Sequence, residues 1–142
     1  MFSFELKTVI AAGPEKVFAA LTDPQYLTQW DYCRWVQNDY RLGGKVRKRD
    51  EDMRLFEGEI VIFEPPFRYG VVWPLLVNTE DEEDGRFPVR FEYALDAHEQ
   101  QTALTLRAEG FPTEDLCERE RNTWGGYFLE KLKKVVEQTK KG

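Results

Sequence analysis

From Thr113 onward the apolar residues Leu116, Cys117, Trp124, Tyr127, Phe128, Leu132, Val135 and Val136 recur at three- and four-residue steps. This spacing predicts one amphipathic helix with a single apolar stripe. Thr113, after Pro112, can cap it, and Glu114 and Asp115 suit the positive N-terminal end. Such a helix runs about 25 residues, about 37 Å at 1.5 Å per residue. No other segment is long enough to cross a whole sheet, so the rest of the chain must supply the surface that covers this stripe. Gly125-Gly126 interrupts the pattern at a cost of up to roughly 1 kcal/mol per glycine. Close packing against the sheet, a short helix, a bend, or room for a ligand would each account for the pair.

The rest of the chain reads mainly as strands. Residues 2–10 alternate, with Phe2, Phe4, Leu6, Thr8 and Ile10 on one face. Pro14 opens a short helix, with Val17, Phe18 and Leu21 apolar, and Thr22-Asp23-Pro24 starts a second that ends at Trp30. Strands are then expected over 34–40, 45–50, 54–63, 67–73, 87–95 and 101–109. The turns between them fall at Gly43-Gly44, Pro65-Pro66 and His98-Glu99-Gln100. Short connections between regular strands imply an antiparallel meander with one covered face. The acidic run Glu80-Asp81-Glu82-Glu83-Asp84 reads as a solvated hairpin loop or a flap beside a cavity mouth.

With 142 residues, the chain is expected to form a single domain over residues 1–142. A chain of this size needs no disulfide or metal for stability. The net charge of −6 argues against non-specific nucleic-acid binding, which needs a concentrated basic surface. The basic run Lys45–Arg49 reads as the exposed face of a strand, and the basic C-terminus as the solvated end of the helix. Cys33 and Cys117 stand far apart and are expected to be reduced thiols in a cytoplasmic protein. The charged, alternating N-terminus is no signal peptide, and no apolar run reaches membrane-spanning length.

Few residues could carry chemistry. The lone histidine, His98, falls in a polar turn, so no Ser-His-Asp set is expected. Neither a metal site nor a phosphate loop has its ligands, and no cofactor is expected. Glu118, Glu120, Asp39 and Glu57 could face inward, although glutamates on strands and helices usually face water. Arg121, beside the apolar stripe, could hold an acidic group of a ligand or reach out to solvent. A cavity would be lined by Trp30, Trp35, Phe56, Ile60, Tyr69, Val71, Trp73, Phe91, Tyr93, Leu106, Arg121, Trp124 and Phe128. The same side chains could equally be plain core; an apolar pocket with a few polar groups is the usual small-molecule site.

Several segments carry a resemblance when taken in order. They are Ala12-Gly13-Pro14-Glu15-Lys16-Val17-Phe18, Leu21-Thr22-Asp23-Pro24, Leu27 to Trp30, Asp39-Tyr40-Arg41-Leu42-Gly43-Gly44, Gly58-Glu59-Ile60 with Glu64-Pro65-Pro66, Thr102 to Leu106, and Trp124 with Phe128, Leu129, Leu132 and Val136. The chain resembles the activator-of-heat-shock-protein-90-ATPase-like branch of the START/SRPBCC superfamily, which has the helix-grip fold of the birch-pollen allergen. It departs from that pattern in placing its glycines after Trp124 and in its expanded acidic loop. The resemblance implies an α+β helix-grip fold: a curved antiparallel sheet of six or seven strands, in the order β-α-α-β6-α, wrapped around the long C-terminal helix. It implies a non-enzymatic binder of a small apolar or amphipathic ligand. The alternatives are a protein-interaction or co-chaperone-like module, and a cyclase- or hydrolase-type enzyme. The expected partners are one small apolar ligand and no nucleic acid, with a monomer or homodimer as the assembly.

Overall fold

A computed structural model of the chain describes residues 1–31, 33–76 and 86–138. Their order is β1 (Phe2–Ile10), α1 (Pro14–Thr22), α2 (Pro24–Trp30), β2 (Trp35–Asn38), β3 (Lys45–Arg49), β4 (Leu55–Glu64), β5 (Arg68–Leu76), β6 (Arg86–His98) and β7 (Gln101–Phe111). After these come α3 (Glu114–Thr123), a π-helical turn (Trp124–Phe128) and α4 (Leu129–Gln138). The seven strands form one antiparallel sheet in the order β1-β7-β6-β5-β4-β3-β2. This is the helix-grip α+β architecture, with the last helical stretch gripped by the sheet. The acidic run at 80–84 lies outside the described residues. No helix among the described residues is long and apolar enough to cross a membrane.

Alternation dictates which face of the sheet is covered. In β6, Val89, Phe91, Tyr93 and Leu95 are buried, and in β7 Thr102, Leu104, Leu106 and Ala108 are buried. Successive side chains in a strand point to opposite faces, so each set lies on one side. The helical stretch covers that side through Cys117, Leu129, Leu132 and Val136. Tyr127, expected on the apolar stripe, is half exposed instead and stands beside Lys131.

The two short helices are tied to each other and to the sheet by buried polar contacts. The Trp30 indole N–H donates to the Ala20 carbonyl at 2.7 Å. Asn38 Nδ2 donates to the Thr22 carbonyl at 3.1 Å, and Thr102 Oγ1 donates to the Ala12 carbonyl at 2.7 Å. Buried donors and acceptors left unpaired are costly, so these bonds fix where α1 and α2 sit.

Two local devices set the path of the final helix. The register of β1 against β7 jumps from Ser3↔Glu109 to Phe2↔Phe111, leaving Gly110 as a bulge with φ 116°. A bulge bends its strand, and Phe111 turns fully inward to stack on Phe4 at 5.6 Å. Thr113 then caps α3, its hydroxyl accepting from the Leu116 N–H at 3.2 Å. The second device is the π turn, where the Leu129 N–H donates to the Trp124 carbonyl five residues back. Gly125 and Gly126 occupy it, so the glycine pair marks one over-wide turn within a helical stretch. Close packing does not explain the pair. A Cβ at Gly125 would touch Leu6 at an ordinary 3.5 Å, and one at Gly126 would meet nothing within 4 Å.

Candidate functional site

Between the helical stretch and the sheet lies a cavity of about 410 Å³. It is bounded by the inner face of β2 to β6, the ends of α1 and α2, and the side of α3 and the π turn that faces the sheet. Its wall is mostly aromatic. Trp124 is central, with its ring 5.3 Å from Phe91, 4.8 Å from Phe128 and 6.2 Å from Trp30. Tyr69 and Tyr93 stack 6.3 Å apart on neighbouring strands. The mouth is marked by the exposed lining residues Arg54, Pro74, Arg119 and Thr123.

Nine of the thirteen residues picked from the sequence line this space: Trp30, Phe56, Tyr69, Val71, Trp73, Phe91, Tyr93, Trp124 and Phe128. The other four lie elsewhere. Ile60 and Leu106 are fully buried within the packed core. Trp35 sits on the opposite face of β2 from buried Val36 and lies against the Arg49 guanidinium at 5.9 Å. Arg121 is exposed, one helical position past the cavity-facing Glu120. His98 ends β6 as an exposed residue, and Glu99-Gln100 makes the turn. Among the carboxylates considered, Glu57 pairs with Arg47 on the outer face, Asp39 accepts from the Lys45 N–H, and Glu118 is exposed. Glu120 alone of the four reaches the cavity.

Beyond Glu120 and the two tyrosines, the polar lining does not follow from the sequence reading. Lys48 Nζ lies 3.0 Å from Asp31 Oδ2 and 4.5 Å from the centre of the Trp73 ring. Both side chains are largely covered, and both line the cavity. Strand parity could have revealed Lys48, since it shares a face with buried Val46 two residues earlier. The basic run is therefore not wholly an outer face. Asp31 closes α2, its N–H donating to the Leu27 carbonyl, and no spacing rule marks it. Nearer the mouth, Asp50 pairs with Arg54 at 3.3 Å. It also accepts from the backbone N–H groups of Asp52 and Arg54 at 2.9 Å each.

Burial shapes the proton affinities here. It pushes the Tyr93 phenol well above its ordinary value of 10.0, helped by the negative charge of Asp31. It also raises Tyr69, although the hydrogen bond from Asn38 works against it. Burial raises the Glu120 carboxyl, opposed by the Trp124 indole donor and by Arg119. Behind the wall, burial and then the Asp31 charge push the Cys33 thiol from 9.0 up to about 12, with Lys48 opposing. None of the described lining residues is a histidine or a cysteine.

These shifts give an expected pH dependence. Cys33 stays protonated in the fold and ionises near 9 when unfolded, so its contribution is complete below pH 9 and is lost as pH rises toward 12. The loss should reach about 1.4 kcal/mol at pH 10, read as a falling urea midpoint. Cys33→Ala should remove most of the loss at pH 10 and leave a shallower decline from the Cys117 thiol, which burial also raises, and from the buried tyrosines. A loss at pH 10 as large as in the wild type would show that Cys33 is not the group responsible.

Comparison with known proteins places this fold. The family model described as "Activator of Hsp90 ATPase homolog 1-like protein" matches residues 11–137. No curated protein matches the sequence. Among solved structures, protein MLL2253 from Mesorhizobium loti superposes with a TM-score of 0.79 at 19% identity, over 97% of this chain and 98% of that one. The Aha1 dimer from Colwellia psychrerythraea gives 0.77 at 18% identity, over 99% of each chain. PFC0360w, an HSP90 activator from Plasmodium falciparum, gives 0.72 at 22% identity, over 96% of each chain. With a family match spanning nearly its whole length and a fold shared with these structures, the chain belongs to the Activator of Hsp90 ATPase homolog 1-like family.

Proposed function

We propose that this protein binds a small, mostly apolar molecule in the cavity between the C-terminal helical stretch and the sheet. The supporting observation is the space itself. About 410 Å³ stays open although bulky rings surround it, and small-molecule sites span roughly 300–1,000 Å³. Leaving apolar surface unpacked forfeits stability, which a ligand's own contacts would restore. The described lining has no histidine and no thiol to activate or serve as a nucleophile, which favours binding over catalysis. Under this reading the protein acts in the cytoplasm with both thiols reduced, as a monomer or homodimer.

A thermal-shift screen of small apolar compounds tests the idea. A compound present at 100 times its dissociation constant adds about 2.7 kcal/mol, which raises the melting temperature by roughly 5–10 °C in a chain of this size. Binding should also change the emission of the wall tryptophans Trp30, Trp73 and Trp124. A broad library that moves neither signal would remove this reading.

A second reading, stimulation of a chaperone ATPase, draws on family membership and on an exposed strip of the sheet. Trp35, Arg49 and Leu55 lie in one cross-strand row on the outer face, and Trp35 and Leu55 are exposed. An ATPase assay with added protein decides it: no stimulation at saturating protein would exclude the reading.

A further inference from the structure

We propose that the cavity selects an uncharged molecule whose hydrogen-bonding group sits on the Asp31–Lys48 pair and whose apolar body lies along Trp73, Phe91 and Trp124. This rests on the reading that the cavity is a ligand site, and it adds the chemical class that the site accepts.

The argument is one of charge balance. The described lining carries three basic side chains, Lys48, Arg54 and Arg119, and three acidic ones, Asp31, Asp50 and Glu120. Two of the cations are paired with carboxylates of the same lining. Lys48 is 3.0 Å from Asp31, and Arg54 is 3.3 Å from Asp50. Arg119 is exposed at the mouth, where water screens its charge. A carboxylate ligand lying beside Trp73 would meet a Lys48 already paired with Asp31, and it would have to shed its hydration without a new counter-charge. Burying an uncompensated charge costs several kcal/mol. An amine cation faces the same obstacle, with Lys48, Arg54 and Arg119 all nearby.

A neutral hydroxyl, phenol or carbonyl meets no such penalty. The Lys48 ammonium has three donors; one points to Asp31, and the cation rests against the Trp73 ring. The pair is therefore fixed in place by a carboxylate on one side and an aromatic face on the other. It offers a polar spot beside the rings of Trp73, Phe91 and Trp124. That is the usual design of a small-molecule pocket, in which a few polar groups fix orientation. The flanking rings favour flat, stacked contacts.

Three compounds on one naphthalene frame test the proposal at pH 7: 2-naphthol, 2-naphthoate and 2-naphthylmethylammonium, each titrated by calorimetry. Wild-type protein should bind the naphthol at least about ten-fold tighter than either ion, about 1.4 kcal/mol. Asp31→Asn leaves Lys48 without its counter-charge and should move the preference about ten-fold toward the naphthoate. Lys48→Met should weaken the naphthol and move the preference toward the ammonium. The wild-type ranking needs no variant, so it stands even if a substitution perturbs folding. A wild-type preference for either ion, or an Asp31→Asn protein with unchanged ranking, would overturn the charge-balance proposal while leaving ligand binding intact. If none of the three binds but other compounds raise the melting temperature, the proposed ligand class is wrong. If nothing binds in either assay, the cavity reading itself falls.

Discussion

Gly110→Ala is expected to cost about 3 kcal/mol or more of folding stability. The residue sits at φ 116°, a region that side-chain-bearing residues rarely occupy, and an added Cβ would lie 2.5 Å from the Pro88 carbonyl oxygen. Backbone cannot yield as a flexible side chain can, so either the bulge flattens or β6 and β7 separate locally. Flattening the bulge would turn Phe111 away from Phe4 and Phe87, the rings it now meets at 5.6 and 6.3 Å. The start of α3 would shift with it. Typical domains have only about 5–15 kcal/mol in total, so this is a large share. With a urea slope of roughly 2 kcal/mol per molar, the unfolding midpoint should fall by at least about 1.5 M. A midpoint unmoved by the substitution would mean that Gly110 does not hold the left-handed bulge described above.

Val46→Phe should abolish ligand binding while leaving the fold intact. Val46 is buried on β3, lines the cavity and pairs across the sheet with Gly58. A phenyl ring there projects into open space, so the usual overpacking penalty of about 1–3 kcal/mol for a filled core should be reduced. A ligand needing that volume should lose at least about 100-fold in affinity, about 2.7 kcal/mol, by calorimetry with any compound found to bind. Val36→Phe, from the neighbouring strand β2, gives an independent version of the same test. Wild-type affinity in both variants would place the ligand outside this cavity.

The fold was legible where periodicity is strong. Alternation in β6 and β7 and the apolar steps of the final helix identify the covered face without any coordinates, because burial of one face is what selects those residues. The aromatic wall was readable for the same reason, although parity cannot separate a ring that lines a space from one that fills it. Ile60 and Leu106 show this, since they share the faces of cavity residues yet sit in solid core. Arg121 failed because one position on a helix is about 100° of rotation. That is enough to place Glu120 at the cavity and Arg121 in water. Lys48 was hidden by its charged neighbours, although its parity with Val46 was available. Asp31 and the bulge at Gly110 arise from contacts between distant segments, which local sequence patterns do not report.

The π turn has a bearing on how this protein can change length. Its Leu129-to-Trp124 bond closes around one residue more than an ordinary helical turn holds. Taking that residue away, by deleting Gly126, should let the turn close on regular spacing while α3 and α4 keep their orientation. Elsewhere in a helix a single deletion rotates everything downstream off its packing partners. Here it should act as a local tightening beside Trp124 and Phe128, altering the width of the chamber rather than the frame around it. A chain of this fold could thus gain or lose one residue at this point and change the width of its chamber without rebuilding the frame.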